Sequence, residues 1–564
     1  MSGAGGRSGG ANGRSGGAGR GRGGAERSGG ANRSGGDRGR RAPRESADDR
    51  EARSAREERR ERADRDRRRA ERAAEPPRPP RPRVTLPRQV AYDVIRAVTA
   101  DDAYANLLLP SRIAEAGLTG RDAGFATELA YGTLRRLGYY DRVIELAAGR
   151  ETDRIDPPVL DVLRLGAHQL LGMELAPHAA VDESVELTRA AGAKNASGFV
   201  NGVLRTIARD DAAIWLRRAT AHVDGDALLA VEHAHPLWVV EALRAALAAS
   251  GREAELAELL AADNVPPRVN LVALPGLVEP TEVVGASTDG AALRAGAAAD
   301  IHPAEIDRVS PLGLVAASGD PAAIPAVADG RARVQDQGSQ LAALALSRSR
   351  PVEPGERWLD VCAGPGGKAA LLAAEAARTG ATLLANELVP ARAGLVRRAL
   401  DALPEPPEVL EGDGRRFGSG PAGSITGPEQ FDRILLDAPC TGLGALRRRP
   451  EARWRKHPDD VAELAVLQGE LLDAAVTALR PGGLIAYVTC SPHLAETREV
   501  VAGALARHPE LRAVDTPAAL APIATRDLEL TPDGDAADTA AQLWPHRHGT
   551  DAMFIQLLTR TPAE

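Results

Sequence analysis

The stretch Phe431-Asp-Arg-Ile-Leu-Leu-Asp-Ala-Pro-Cys440 decides how the chain folds. Its apolar run, Ile434-Leu-Leu436, has the length of a buried parallel strand. The run ends on Asp437, and Pro439, which has no N–H to donate, stops further sheet pairing. A carboxylate and a thiol are thereby delivered to the carboxyl end of a core strand, where open α/β sheets bind ligands. The pattern recurs in Gly483-Leu-Ile-Ala-Tyr-Val-Thr489, followed by Cys490-Ser-Pro492. It recurs again in Arg357-Trp-Leu-Asp-Val361, followed by Cys362-Ala-Gly-Pro-Gly-Gly-Lys368. The 564-residue chain has three cysteines, and each follows a predicted strand of the same domain.

Around these segments, strands and helices alternate from Val334 onward. Strands are predicted over 357–361, 382–385, 431–436, 484–488 and 554–558, with another ending at Glu411. Helices are predicted over 368–378, 391–402, 459–479 and 495–507. This is the pattern of a Rossmann-like α/β domain with a doubly wound parallel sheet, assigned to 333–564. Residues 235–332 look like a small α+β connector, with a helix over 238–248 and a strand around Arg268-Val-Asn270. Residues 84–220 read as an all-α bundle. Val90, Val94 and Val98 keep helical spacing, as do Leu129, Leu134 and Leu137, and Phe199, Val203 and Ile207. Residues 1–83 are Gly/Arg-rich, then Arg/Glu-rich, then Pro-rich, with almost nothing to bury, so a disordered tail is expected.

Hydrophobic content of 43% supports real cores, but aromatics are only 3%, so those cores must be built mainly from Ala, Leu and Val. Three cysteines without paired spacing argue against a disulfide framework or zinc cluster, and suit a reducing cytoplasm. No apolar run reaches the roughly 18 residues of a membrane span. The net charge of −7 is unevenly spread, because the first 83 residues hold 24 Arg against 13 acids. Such a tail can hold an RNA backbone or merely keep the chain soluble. Only three lysines, Lys194, Lys368 and Lys456, occur among the 71 basic residues, and one of them lies in the glycine loop.

That loop, Ala363-Gly-Pro-Gly-Gly-Lys368, joins the first strand to the first helix, where glycines admit a ligand to the backbone N–H groups. A phosphate-loop reading fails at Cys362 and Ala369, where that motif needs Gly and Ser or Thr. A dinucleotide fingerprint fits at Gly364 and Gly366 but only weakly at Ala369. S-adenosylmethionine needs the same loop, an acid after the second strand and a polar residue after the third. Asp360 or the loop, Glu387 and Asp413 stand in those places. Spacing alone does not separate the last two ligands, but the thiols do. A nicotinamide enzyme has no use for paired cysteines. Methylation of a pyrimidine at carbon 5 does, because that carbon becomes nucleophilic only when a thiolate has added at carbon 6. A carboxylate such as Asp437 must then meet the ring nitrogen and amino group.

In order, Asp360-Val-Cys-Ala-Gly-Pro-Gly-Gly-Lys368, Asp413-Gly-Arg415, Asp437-Ala-Pro-Cys440, Arg448-Arg-Pro450, Trp454 and Thr489-Cys-Ser491 resemble the NOL1/NOP2/Sun family of RNA cytosine-5 methyltransferases. The front domain is similar to the NusB type of RNA-binding bundle, in Arg88-Gln-Val-Ala-Tyr92, Glu128-Leu-Ala-Tyr-Gly132 and Asn201-Gly-Val-Leu-Arg205. Together these resemble the bacterial branch that acts on 16S rRNA, over about residues 86–560. The resemblance implies Cys490 as the nucleophile, Cys440 as the residue that assists proton removal and product release, and Asp437 as the group that holds the base. It implies S-adenosyl-L-methionine bound by Cys362, Ala363, Gly364, Pro365, Gly366, Gly367, Lys368, Glu387, Arg392, Asp413 and Asp437. It implies a monomer that needs no metal or membrane and meets 16S rRNA before the subunit is fully assembled. Two positions depart from the family: Ala369 replaces Thr, and Gly549-Thr-Asp-Ala-Met-Phe554 replaces Asp-Gly and two aromatics. The run Arg447-Arg-Arg-Pro-Glu-Ala-Arg-Trp-Arg-Lys-His457 suits RNA phosphates and base stacking, or else a solvated loop. Competing readings are the same chemistry on tRNA, a non-enzymatic RNA-binding assembly factor, and a nicotinamide oxidoreductase.

Overall fold

The computed structural model describes residues 84–288, 305–306, 309–316, 320–530 and 538–561, which belong to one compact unit. The expected Arg/Gly tail lies outside the described residues. Helices Leu86–Ala100, Gly120–Arg135, Leu137–Ala148, Pro157–Leu171, Pro177–Ala190 and Ser197–Ile207 form the front bundle. Val90, Val94 and Val98 bury one stripe against Leu129, Leu134, Val162, Leu163, Val203 and Ile207. Three of these helices carry proline in the first turn, where a missing N–H costs nothing. Close helix approach is set by Gly166, where an added Cβ would lie 2.6 Å from Leu204.

Helices Leu237–Ala248 and Leu256–Ala262 follow, and then a small sheet. Its strands are β1 (Val269–Ala273), β2 (Glu305–Ile306), β3 (Gly313–Ala316) and β4 (Ala332–Val334), in the order β2-β3-β1-β4. Leu271 and Ala273 bury with Val283, Leu314, Ile324 and Ala332. Gln340 ties this sheet to the next domain by donating to the carbonyl of Leu271 at 3.1 Å.

The large sheet is formed by β5 (Arg357–Asp360), β6 (Thr382–Glu387), β7 (Glu408–Glu411), β8 (Phe431–Asp437), β9 (Leu479–Thr489), β10 (Leu511–Val514), β11 (Ala541–Gln542) and β12 (Phe554–Arg560). The order is β10-β12-β9-β8-β5-β6-β7, with β11 on β12. Leu359, Ile434, Leu436 and Ile485 bury on one face, and Leu435, Ala486 and Val488 on the other, as a sheet covered on both sides requires. The sequence predicts a wholly parallel sheet; the structure corrects this to a mixed one. The five strands from β7 to β9 are parallel, but β12 runs antiparallel to β9. Only the single-turn helix Pro545–His548 lies between β11 and β12. The chain enters it beside the carboxyl end of β9, pairing Phe554 with Thr489, and can only run back.

Candidate active site

Three parallel strands end at one edge of the sheet, and each hands over a loop. Asp437 pairs with Val488 in register, and Ala438 N–H donates to the Val488 carbonyl at 2.8 Å. The two thiol loops therefore leave the sheet side by side, and Cys440 Sγ lies 3.4 Å from Cys490 Sγ. Both cysteines are partly exposed. Gly444 locks the arrangement: its N–H donates to the Cys490 carbonyl at 2.8 Å, and its carbonyl accepts from Ala552 N–H at 2.8 Å. A Cβ at Gly444 would lie 2.1 Å from the Ala552 oxygen, so only glycine fits.

The two thiols are not equivalent. A hydrogen bond from Cys440 lowers the Cys490 pKa; burial and Asp437 oppose this, while Arg449 and Lys368 assist it. Cys440 moves the other way, through the hydrogen bond to Cys490, burial, and the charges of Cys490, Glu496 and Asp437. Lys368 Nζ is 2.8 Å from Asp437 Oδ2. Burial opposes the ammonium, but Asp437 outweighs it and the Lys368 pKa is raised. The Lys368 ammonium thus holds Asp437 at the carboxyl end of β8, the strand from which the Cys440 loop leaves. Cys440→Ala removes the donor to Cys490, so the pH midpoint of Cys490 alkylation by iodoacetamide is expected to rise, as read by mass spectrometry of the labelled peptide. An unchanged midpoint would show that Cys440 is not what lowers Cys490.

The glycine loop turns tightly against the neighbouring strand end and helix. Gly366 has φ +107°, and a Cβ there would lie 2.4 Å from that of Ala399. Gly364 N–H donates to Glu387 Oε2 at 3.0 Å, and Arg392 donates to the Gly364 carbonyl at 2.7 Å. Asn386 spans the neighbouring strand ends, donating to the carbonyls of Val361 at 2.9 Å and Gly412 at 3.0 Å. Lys368 and Gly367 open the helix Gly367–Thr379 behind the loop, and Pro365 is exposed at its tip. Asp360 is buried beneath the loop, and neither carboxylate oxygen has a hydrogen-bond partner. The buried Asp360 side chain beneath the loop, the N-terminus of the helix Gly367–Thr379 and the acid Glu387 at the end of β6 fit the amino-acid end and the ribose of S-adenosyl-L-methionine. Asp413 instead meets Arg415, accepting from its backbone at 3.0 Å and from its guanidinium at 2.7 Å. Burial pushes the Cys362 thiol well up, and its side chain packs against the β5–β8 core, as a small apolar residue does.

Burial, and then Asp437, push the Asp360 carboxyl up to about 8. Its folded pKa lies above the unfolded value near ~3.9. The folded state therefore binds the extra proton, and stability falls as pH rises from about 4 to about 8. Asp360→Asn should flatten that part of the curve of melting temperature against pH. An unaltered slope would contradict the assignment.

The basic run after Cys440 is corrected by the structure: its core is neither an RNA-facing nor a solvated loop. Arg453 is fully buried and donates to the carbonyls of Arg135, Ala234 and Asp263 and to Asn264 Oδ1 at 2.9 Å. Trp454 Nε1 donates to the Leu134 carbonyl at 2.9 Å, and its ring lies on Gly138. Arg455 donates to the carbonyl of Val98 at 2.6 Å, and Glu451 accepts from Ala105 N–H at 3.2 Å. Arg448 joins Asp336 at 2.6 Å and Asp551 at 3.0 Å. The segment from Gly549 to Phe554 is mostly buried by these contacts and packs rather than stacks on a base. Sequence reasoning missed Glu496, a buried acid between the thiol loops. Its spacing from Cys490 carried no motif that singled it out.

The family model described as 16S rRNA methyltransferase RsmB/F matches residues 350–559, and that of the NusB family matches residues 85–209. The chain is 46% identical over 475 residues to a putative methyltransferase of Mycobacterium tuberculosis, covering 84% of this chain and 96% of the relative. It is 32% identical over 437 residues to ribosomal RNA small subunit methyltransferase B of Klebsiella pneumoniae, covering 77% and 93%. It is 30% identical over 472 residues to the probable ribosomal RNA small subunit methyltransferase B of Bacillus subtilis, covering 84% and 98%. The crystal structure of PH0851 superposes with a TM-score of 0.67 at 21% identity over 85% of this chain and 100% of that one, a likeness of fold. With its NusB-type bundle, its glycine loop and its paired strand-end thiols, the chain belongs to the RsmB/F family of 16S rRNA methyltransferases and is an S-adenosyl-L-methionine-dependent enzyme.

Proposed function

We propose that the enzyme methylates carbon 5 of a cytosine in 16S rRNA through a covalent bond between Cys490 and carbon 6 of the base. The observation that carries this reading is the 3.4 Å approach of two thiols beside a carboxylate held by lysine. S-adenosyl-L-methionine, when bound, supplies an electrophilic methyl group. The target base leaves its stack to reach the sulfurs. Asp437, oriented by Lys368, accepts hydrogen bonds from the polar edge of the ring. The Cys490 thiolate adds at carbon 6, and the displaced electron pair makes carbon 5 the nucleophile that takes the methyl group.

Cys440 acts afterwards. The first cause of its raised pKa is the hydrogen bond to Cys490. Once the Cys490 sulfur is a thioether, that cause is gone. Cys440 can then release its proton to water and take the proton from carbon 5. The electron pair of that C–H bond restores the ring double bond and expels Cys490 as thiolate. Bisulfite mapping of 16S rRNA from a strain lacking the gene tests the reading. One methylated cytosine should be lost and return on complementation. An unchanged map with a new gap in tRNA would move the substrate class.

Family membership supports ribosomal RNA as partner, and the bundle at 84–220 suits contact with it. The domain division, a cytoplasmic monomer and action before the subunit is complete belong to the same proposal. Among the described residues, no helix is long and apolar enough to cross a membrane.

A further inference from the structure

Glu496 lies in the short 3-10 turn after Cys490 and is fully buried. None of the ion pairs of the described residues includes it. Its carboxylate is instead filled by donors from both thiol loops. Thr441, next to Cys440, donates its backbone N–H to Oε1 at 2.7 Å and its hydroxyl to Oε2. Ser491, next to Cys490, donates its hydroxyl to Oε2 at 2.6 Å. Gln468 reaches Oε1 at 3.4 Å while also donating to the carbonyl of Pro439, the other neighbour of Cys440, at 2.8 Å. Tyr487, on β9, donates to the Glu496 carbonyl at 2.8 Å and to Gln468 Oε1 at 3.2 Å.

A buried carboxylate without a cation is costly, and an apolar side chain of similar volume could fill the same space. What an apolar residue could not do is accept from both loops at once. Every donor to the carboxylate comes from a residue flanking one of the cysteines or from a residue that holds such a flank. The charge of Glu496 also adds to the rise of the Cys440 thiol, behind the hydrogen bond to Cys490, burial and the charge of Cys490.

We propose that Glu496 is a positioning residue that straps the two thiol loops together, sets the sulfur-to-sulfur contact, and keeps the two cysteines in different roles. Its meaning for catalysis rests on the reading of Cys490 and Cys440 given above. Loss of the strap lets the loops separate, so Cys490 loses its hydrogen-bond donor and Cys440 loses the charge that holds its proton. The two thiols then become alike.

The test is competitive alkylation of the full-length protein with iodoacetamide near neutral pH, quantified separately for the Cys440 and Cys490 peptides. It uses neither RNA nor methyl donor, so it stands apart from the methylation assay: loss of cytosine methylation tests the reaction, and the alkylation ratio tests the strap. Each unit of separation between the thiol pKa values is about tenfold in relative thiolate. The wild-type ratio should favour Cys490, and Glu496→Ala should bring it toward unity. Glu496→Gln should restore part of it, because the amide keeps one acceptor for Thr441 N–H and donates to the hydroxyls. Thr441→Val and Ser491→Ala cut one strap each with the carboxylate in place, and each should lower the ratio by a smaller factor. If the glutamate variants do not fold, these two decide. A wild-type ratio in a folded Glu496→Ala, or in both Thr441→Val and Ser491→Ala, overturns the proposal.

Discussion

Cys490→Ala is expected to lower methyl transfer to RNA by roughly four orders of magnitude or more, the scale seen when a covalent nucleophile is removed. Carbon 5 of cytosine has no other route to nucleophilic character in this site. Cys440 is 3.4 Å away, but its thiol is held protonated by Cys490 and by burial, so it is a poor substitute. Cys440→Ala should fail differently. Addition and methyl transfer proceed, removal of the proton from carbon 5 does not, and the enzyme stays bonded to RNA as a slow band on a denaturing gel. Adding Cys490→Ala to that variant should abolish the band. Normal turnover by Cys440→Ala would reverse the assignment of roles.

The second large effect is on stability. Arg453→Met should destabilise the fold by about 3–5 kcal/mol, the cost of leaving buried partners uncompensated. The guanidinium serves three carbonyls and an amide from the front bundle and connector, and offsets the buried Asp263 carboxyl. Arg453→Lys should recover little, because a point charge cannot replace a planar fork that reaches four oxygens. Urea unfolding monitored by circular dichroism measures both. A midpoint unchanged in Arg453→Met would mean that the segment after Cys440 is not anchored by this residue. The anchor reaches the site: the chain between Arg447 and Arg455 connects the Cys440 loop to the helical bundle.

The sheet was legible because its strands are short apolar runs that stop on Asp, Cys or Pro, and its helices because Pro and Gly punctuate them. The run 434–436 and the helix Pro458–Ala478 are the plainest cases. The reversal of β12 was not legible, since an apolar run carries no direction. Cys440, Cys490 and Asp437 could be placed at one edge because parallel strands all release their loops on the same side of the sheet. The sense of the basic run could not be read. Arginine is equally suited to phosphate and to buried carbonyls, and only the folded contacts of Arg453 and Arg455 show which they meet. Glu496 escaped for a related reason: a lone glutamate in a turn is usually a surface residue, and besides nearby Ser491 its donors arrive from 28 and 55 residues away.

One measurement bears most directly on the central claim. RNA containing 5-fluorocytidine, whose carbon 5 has no proton to lose, is incubated with the enzyme and S-adenosyl-L-methionine, and the bonded peptide is sequenced by mass spectrometry. The predicted result is a stable adduct on Cys490, present in wild type and absent from Cys490→Ala. An adduct on Cys440, or methyl transfer to cytosine with no adduct on either sulfur, would contradict it.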